Sequence, residues 1–269
     1  MNFQDHVGQT ETRDDIVAPH LMQGLAATLG MAAPSRLPPL WHWMLFQEWV
    51  MPDRLGLDGH PRRGGFLPPV HDLPRRMWAG GTVRFLAPLH TGEAVRRTST
   101  IRSVTEKQGG SGRLVFVTVD HAIEGPHGPA IAERQDIVYR GAEGPAAKPA
   151  EPAPPAPPDA RRDEARPDPV LLFRYSALTG NGHRIHYDLD YARGAEGYPG
   201  LVVHGPLQAM WLAGLLADKT IAAFSFRGLR PAFHDAPLVT EGWAEGDVWR
   251  LRTLDPGGRA CMTAEATLG

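Results

Sequence analysis

The chain has 269 residues, nearly balanced charges with a formal net charge of −2, and one cysteine, Cys261. A single cysteine excludes a disulfide framework or a cysteine-rich zinc or iron–sulfur site within the chain. The balanced charge gives no general attraction to nucleic acid. The sequence has no apolar run of about 18 residues and no leader-like pattern at its start, so we expect a soluble, cytoplasmic protein that does not bind membranes.

A proline-rich segment divides the chain into two halves. Residues 141–169 hold nine of the 26 prolines and almost no large apolar side chains. An extended segment of this kind advances about 3.1 Å per residue, so it could cross the face of a small domain and let the halves pack side by side. We predict an N-terminal domain over residues 1–140, a linker over 141–168 and a C-terminal domain over 169–269.

The first half begins with helix-like periodicity at residues 20–29, followed by the aromatic stretch LWHWMLFQEW at 40–49, whose register the pattern leaves open. Four segments rich in Val, Ile, Thr and Phe then alternate with turn sequences such as HTGE and EGPHGP, which is typical of strands. These segments are residues 82–89, 93–104, 113–123 and 130–139. Their spacing predicts an antiparallel meander.

The second half has a clearer order of elements. A helix is predicted to start at Pro169, with Asp168 as its N-cap. Residues 207–217, LQAMWLAGLLA, are apolar on nearly every face, so this helix must be surrounded by other elements. Four strand-like segments follow and could curl around it, at residues 221–230, 238–248, 249–255 and 260–268.

A single helix wrapped by an antiparallel sheet is the hot-dog arrangement. Two such halves predict an α+β double hot dog, with two antiparallel sheets each wrapped around a helix. In the first half, this prediction requires the aromatic stretch at residues 40–49 to supply the wrapped helix.

The candidate chemistry lies in FRYSALTGNGHRIHYD at residues 173–188. Asn181 and His186 lie five positions apart in a loop whose glycines, Gly180 and Gly182, allow a sharp backbone path after a helix. A histidine can take and return a proton near neutral pH, whereas an asparagine can only hold a water or a carbonyl by hydrogen bonds. We therefore predict His186 as the acid/base group and Asn181 as its orienting partner.

The segment GLVVHGP at residues 200–206 places Gly205 and Pro206 at the start of the apolar helix. The first turn of a helix carries unpaired amides and a partial positive charge. Amides near Gly205 could therefore stabilise negative charge on a carbonyl oxygen, as an oxyanion hole does, at a position where a side chain would block close approach.

Other histidines have simpler interpretations, which we prefer. His183 and His186, with His204 as a third ligand, could suggest a metal site. No HExxH helix or carboxylate set accompanies them, so we predict no metal. His204 is expected to pack or cap at the helix start. Asp15 and His20 repeat the spacing of the motif without a glycine-opened helix behind them, and we interpret them as a surface coincidence.

The stretch FRYSALTGNGHRIHYD, with EGYPGLVVHGPLQ behind it, resembles the hydroxyacyl-thioester dehydratases of type 2, a branch of the MaoC-like enoyl hydratases. FSFRGLRPAF at residues 224–233 also resembles that branch. In the first half, DGHPRRGGFLPP at 58–69 and RRMWAGGTVRF at 75–85 resemble the family's degenerate hot dog, which would hold the acyl pocket.

This resemblance implies a double hot dog that reversibly adds water across the 2,3 double bond of an acyl-CoA or acyl-carrier-protein thioester. It implies no cofactor beyond the CoA of the substrate. Most MaoC-like enzymes have an aspartate where this chain has Asn181, although asparagine is usual in the type 2 branch. The resemblance therefore implies that His186 alone transfers protons, that Asn181 orients the water and that the amide of Gly205 holds the thioester oxygen.

The candidate substrate-binding residues flank the motif and the strand after the wrapped helix. Cationic contacts suit the phosphates of CoA, and the same branch resembles hydratases of short dicarboxylic thioesters such as mesaconyl-C4-CoA or itaconyl-CoA. Arg184, where the wider superfamily usually has proline, is our candidate for binding a free carboxylate. The full set is Arg174, Arg184, His204, Arg227 and Arg230.

Two other functions remain open from the sequence. A hot-dog thioesterase would need a carboxylate near the thioester carbon, and the motif loop offers only Asp188 beyond His186. A catalytically silent module that binds CoA esters would keep the pocket without needing His186. The sequence leaves the oligomeric state open, and a homodimer is allowed because hot-dog sheets often pair.

Overall fold

The computed structural model of the chain describes residues 3–109, 112–141 and 151–269. Apart from short 3-10 helices, the described elements of the first half are β1 (Thr10–Ile16), α1 (Pro19–Thr28), β2 (Arg75–Phe85), β3 (Ala94–Gly109), β4 (Gly112–Gly125) and β5 (Gly128–Arg140). Those of the second half are β6 (Arg161–Ala165), α2 (Pro169–Thr179), α3 (Leu189–Gly194), α4 (Gly205–Gly214), β7 (Ile221–Gly228), β8 (Leu238–Glu245), β9 (Val248–Leu254) and β10 (Ala260–Leu268).

The described strands form one ten-stranded sheet, in the order β1-β3-β4-β5-β2-β7-β10-β9-β8-β6. Every pairing in it is antiparallel. The two halves meet where β2 pairs with β7, from Gly80 opposite Arg227 to Arg84 opposite Ala223. The predicted α+β class with antiparallel halves is therefore confirmed, and the halves lie edge to edge in a continuous sheet.

Helix α4 is the wrapped helix of the second half, as its apolar sequence predicts. It lies against β7, β8, β9 and β10. Six of its residues are buried: Leu207, Gln208, Ala209, Met210, Leu212 and Ala213. The one polar side chain among them, Gln208, accepts a hydrogen bond from the hydroxyl of Thr253 on β9 at 2.8 Å, which offsets the cost of its burial.

The first half departs from the predicted pattern. The aromatic stretch forms only a 3-10 helix of four residues, Trp41–Met44, so the prediction that it supplies a wrapped α-helix is wrong. Leu40 before this turn and Phe46 after it have φ angles of 71° and 58°, outside the range of a right-handed helix. Residues 40–46 of the stretch nevertheless lie in the core or pack against it, while Trp49 is exposed, and α1 (Pro19–Thr28) is the α-helix of this half, packed beside α2.

Capping residues place α2 where the sequence predicts it. The side chain of Asp168 accepts a hydrogen bond from the amide of Leu171 at 2.7 Å, and Gly180, with a φ of 62°, ends the helix. The left-handed backbone at Gly180 favours glycine and turns the chain sharply into the motif loop.

Two polar strands escaped the sequence analysis. β1 (TETRDDI) pairs only with β3, and β6 (RRDEA) pairs only with β8, so both lie at the edges of the sheet, where charged side chains are common. β6 lies inside the range assigned to the linker, and residues 142–150 of that range lie outside the described residues. The domain boundaries stay a prediction. Among the described helices, none is long and apolar enough to span a membrane.

Candidate active site

The motif loop between α2 and α3 is shaped by its own side chains. His186 ends a short 3-10 turn, Arg184–His186. The side-chain oxygen of Asn181 accepts the amide hydrogen of His183 at 3.0 Å. Asn181 therefore fixes the path of the loop two residues downstream, in the manner of an Asx turn.

The imidazole of His186 is held in one orientation and one tautomer. Its Nδ1 donates a hydrogen bond to the backbone oxygen of Val202 at 2.7 Å, which leaves Nε2 as the basic nitrogen. Its ring stacks on that of His204, with centroids 3.7 Å apart and planes 17° apart. Burial lowers the pKa of His186 to about 4, so the ring is neutral near pH 7 and can accept a proton.

His204 supports this ring from behind. The side chain is 0% exposed, and its Nε2 shares a hydrogen bond of 2.9 Å with the hydroxyl of Ser176 on α2. The ring of Tyr175 lies 4.8 Å from it, and burial holds the pKa of His204 well below its usual value. His204 thus packs at the helix start, as expected. The sequence also suggested that His204 contacts the substrate, and such a contact would require this buried ring to become exposed.

The start of α4 lies next to His186. Gly205 is the first residue of the helix, as predicted, and it directly follows His204, which stacks on His186. A Cβ at Gly205 would meet only the terminal carbon of Met262, at 3.7 Å. Protein packing therefore does not require a glycine here, and the absence of a side chain at Gly205 removes one obstacle to a ligand oxygen at the first turn.

A loop of the first half, residues 56–60, covers the motif loop. The backbone oxygen of Asp58 accepts the amide hydrogen of Arg184 at 2.9 Å. Gly59 has a φ of 87° and passes so close to Gly182 that a Cβ on Gly59 would lie 2.0 Å from the carbonyl oxygen of Gly182. The site is therefore assembled from both halves of the chain, and a glycine is required at this crossing.

The same loop adds a carboxylate and a histidine that the sequence analysis did not assign to the site. The ring of His60 lies 4.4 Å from that of His183, which in turn lies 5.6 Å from that of His186. Nδ1 of His60 donates to Asp58 at 3.1 Å. Burial lowers the pKa of His183 to about 3 and also lowers that of His60. Although burial opposes it, the hydrogen bond from His60 holds the pKa of Asp58 well below its usual value.

Comparison with known proteins decides the family. The sequence model described as "Hydroxyacyl-thioester dehydratase type 2" matches residues 40–234. A mesaconyl-C(4)-CoA hydratase of Chloroflexus aurantiacus is 44% identical over 273 residues, which cover 98% of this chain and 96% of that protein. The chain belongs to the type 2 hydroxyacyl-thioester dehydratase family. This type 2 dehydratase is a hydro-lyase that acts on acyl thioesters, as the resemblance implied.

Solved structures confirm the fold of the type 2 dehydratase. HtdX of Mycobacterium tuberculosis superposes with a TM-score of 0.72 at 19% identity, over 97% of this chain and 100% of that chain. A second M. tuberculosis protein, described as having a double hot-dog fold, superposes with a TM-score of 0.57 at 14% identity, over 99% and 98% of the two chains. The predicted double hot dog is therefore confirmed.

Arg184 of the type 2 dehydratase is engaged within the protein. Its guanidinium donates to Asp188 at 3.0 and 2.7 Å and to the backbone oxygen of Leu57 at 3.1 Å, and it lies over the ring of Tyr191 at 4.2 Å. Asp188 also caps α3 through the amide of Tyr191. Arg184 as the carboxylate-binding residue stays a prediction that these contacts disfavour, and Asp188 is committed to structure rather than to thioester hydrolysis.

Two of the other predicted arginines point away from the site. Arg174 is exposed on α2, about 200° around the helix from Ser176, which bonds to the site. Arg227 is exposed on β7 next to the buried Phe226 and so faces the side of the sheet opposite α4. The substrate-binding roles of Arg174 and Arg227 stay predictions, which these exposed positions disfavour. Arg230 forms an ion pair of 3.8 Å with an aspartate in the β9–β10 turn.

One group of side chains in the described residues has metal-ligand types. Ligand atoms of Asp58, His60 and His183 all lie within 4.8 Å of one another. Two of these ligands already bond to each other, and Arg63 and Arg76 line the cavity beside them. Neighbouring guanidinium groups disfavour a divalent cation. The absence of a metal stays a prediction, and we derive no step through one.

Asp58, His60 and Arg76 are the residues of the site region that sequence reasoning missed. All three fall within the two first-half stretches that resemble the family, DGHPRRGGFLPP and RRMWAGGTVRF. That likeness was the available signal, since nothing in local spacing connects these stretches with a motif that begins only at residue 173.

Proposed function

We propose that the chain adds water to the 2,3 double bond of a short dicarboxylic enoyl-CoA of the mesaconyl-C4 type, with His186 as the acid/base group. The observation that carries this proposal is the ring of His186, which is neutral, fixed by the oxygen of Val202 and adjacent to the start of α4. Similarity to the mesaconyl-C(4)-CoA hydratase supports both the substrate class and CoA as the carrier.

In the proposed reaction, Nε2 of His186 removes a proton from a water, and the resulting hydroxide bonds to the β carbon. The π electrons move to the thioester oxygen, which becomes negatively charged and is stabilised by an amide near Gly205. The imidazolium of His186 then returns its proton to the α carbon, so that one water is added and the base is regenerated. Dehydration is the same sequence in reverse.

Asn181 has a supporting part in this proposal. Its side-chain oxygen already accepts from the amide of His183, which leaves the two N–H groups of its amide as donors. One of them can hold the oxygen of the attacking water. Because the side chain of Asn181 cannot ionise, His186 is left as the group that moves protons. A homodimeric state and a cytoplasmic location stay predictions.

The His186→Ala variant tests the assignment. We expect hydration of mesaconyl-C4-CoA, followed as loss of the absorbance of the conjugated thioester, to fall by about 10²- to 10⁴-fold. His20→Ala is the matched control, because His20 repeats the motif spacing on the exposed side of α1 and should leave the rate unchanged. If a folded His186→Ala protein keeps its hydration rate within a few fold of wild type, His186 is not the acid/base group.

A further inference from the structure

A basic cavity of about 290 Å³ lies beside the loop that covers the active site. The only acidic side chain in its wall is Asp58, whose Oδ1 and Oδ2 accept hydrogen bonds from the amide and Nδ1 of His60. The basic side chains that line it are His60, Arg62, Arg63, His71 and Arg76. Such a wall favours an anion.

Arg76 is the arginine of this cavity whose guanidinium hydrogen-bonds to a neutral hydroxyl, that of Tyr139, and whose charge has no carboxylate partner in the described residues. Arg63 donates to three backbone oxygens within residues 70–74 and so serves to hold that loop. Arg62 donates to the backbone oxygen of Leu55 at 3.2 Å. Arg76 is half-buried on β2, opposite Tyr139 of β5, and among the described residues no carboxylate forms an ion pair with it. A partly buried cation without a counter-charge is costly unless an anion joins it.

The cavity is connected to the base through two histidine rings. His60 is part of the cavity wall, its ring lies 4.4 Å from that of His183, and the ring of His183 lies 5.6 Å from that of His186. After burial, the positive charge of Arg76 is among the causes that lower the pKa values of His60 and His183. The charge of Arg76 therefore reaches the two histidine rings that lie between the cavity and His186.

We propose that this cavity is the subsite for a free carboxylate on the acyl group of the substrate, and that Arg76 binds that carboxylate. The inference rests on the proposed function. In a mesaconyl-C4 or fumaryl thioester the carboxylate is bonded directly to the β carbon, at about 1.5 Å. A residue that recognises it must therefore lie on the side of the site next to the group that delivers water. Arg76 lines the cavity that adjoins His186 through the rings of His60 and His183, whereas Arg184 is already paired with Asp188.

Fumaryl-CoA and crotonyl-CoA form the matched substrate pair for the test, because they differ only in a carboxylate or a methyl group on the β carbon. The measured quantity is the ratio of kcat/KM for fumaryl-CoA to that for crotonyl-CoA. We expect Arg76→Gln to lower this ratio by about 10- to 150-fold, and Arg76→Lys to restore part of it. Arg84→Gln removes an exposed arginine from the same strand, outside the cavity, and should leave both rates unchanged.

The outcomes separate the two proposals. Equal losses with both substrates in Arg76→Gln, or an unchanged ratio, overturn the subsite. If Arg76→Gln fails to fold, the kcat/KM ratios of the wild type and of Arg76→Lys are the test. A wild-type enzyme that does not prefer fumaryl-CoA to crotonyl-CoA also overturns the subsite. Hydration of crotonyl-CoA but not of fumaryl-CoA likewise refutes the subsite. No hydration of fumaryl-, crotonyl- or mesaconyl-C4-CoA by the wild type would instead refute the proposed function.

Discussion

The imidazole rings of His186 and His204 lie face to face, with their centroids 3.7 Å apart. His204 is the residue before α4, and its ring is fixed by Ser176 of α2. His186 is thus positioned by a residue at the start of the same buried helix whose first turn would stabilise the oxyanion in the proposed reaction. In that reaction, movement of one would displace the other, so proton transfer and charge stabilisation would be coupled.

Removing the supporting ring should slow the reaction without abolishing binding. For His204→Ala, we expect kcat to fall by about 10- to 100-fold with a small change in KM, because His186 loses its fixed position. His204→Phe keeps an aromatic ring behind the base and should recover part of the loss. Steady-state kinetics with mesaconyl-C4-CoA gives both values, and a rise in KM at unchanged kcat would point to substrate contact instead.

The pH dependence of the rate should report the buried state of His186. The base must be neutral to accept a proton, and burial lowers its pKa to about 4. We expect kcat/KM to stay level as the pH falls through 6.5 and to decline only near pH 4. Preincubation at each pH, followed by assay at pH 7, separates titration from unfolding. A midpoint near 6.5 would show that the ring is solvated in the free enzyme.

The glycine crossing between the halves should not tolerate a side chain. Gly59→Ala places a Cβ 2.0 Å from the oxygen of Gly182 at a left-handed φ of 87°. We expect a loss of about 1–3 kcal/mol in the free energy of unfolding, together with lower activity. Gly65→Ala in the same segment is the control, because its Cβ would meet nothing within 4 Å. Equal stability of the two variants would contradict the observed crossing.

A buried carboxylate in the first half should matter for stability rather than for catalysis. Glu133 accepts hydrogen bonds from His42 at 3.2 Å and Trp43 at 2.8 Å, and although burial opposes ionisation, these bonds lower its pKa to about 2. Its folded pKa lies below the unfolded value, so this stabilisation exists above about pH 4.5 and is lost as the pH falls towards 2. Glu133→Gln should cost about 3 kcal/mol at pH 7.

Denaturant unfolding at several pH values checks this prediction. The difference between wild type and Glu133→Gln should shrink below about pH 4, since the wild-type carboxylate then begins to bind protons. Glu124→Gln, at an exposed position of β4, should remain within about 0.5 kcal/mol of wild type at every pH. A constant difference between wild type and Glu133→Gln across the pH range would show that ionisation is not the cause.

Removal of metal ions should leave the enzyme unchanged. Asp58 and His60 bond to each other, and guanidinium groups adjoin them, so we expect dialysis against a chelator to alter the hydration rate by less than about twofold. Addition of zinc to the dialysed protein should not raise the rate. Loss of activity on dialysis and its recovery with a metal would assign Asp58, His60 and His183 as ligands instead.

Short-range patterns in the sequence predicted the helices α2 and α4 of the second half and the strands that follow α4. The Asp168 cap, the uniformly apolar helix and the alternating strands after it each depend on neighbours within a few residues, and the structure has them at the predicted places. The edge strands β1 and β6 carry mostly polar side chains, so no apolar pattern marked them. Residues 40–46 of the aromatic stretch pack into the core as an irregular turn, which periodicity alone cannot distinguish from a helix.

The site was predictable only in part, for the same reason. His186, Asn181 and Gly205 lie within one window of sequence, whereas the covering loop reaches them from the other half. Arg184 and Leu57, which are hydrogen-bonded, are 127 positions apart. Spacing along the chain contains no information about such a contact. Only the tertiary structure shows that Arg184 is already paired and that Arg76 is the better candidate for binding the substrate carboxylate.

Strand β2 is paired along both of its edges, with β5 on one side and β7 on the other. Without the first half, β7 would present a row of unsatisfied amides and carbonyls at an open edge, ready to pair with a strand of another molecule. The half without the histidine motif therefore also protects the other half from self-association. This pairing alone would be a reason to retain the first half, because the half with the histidine motif would otherwise be prone to aggregate.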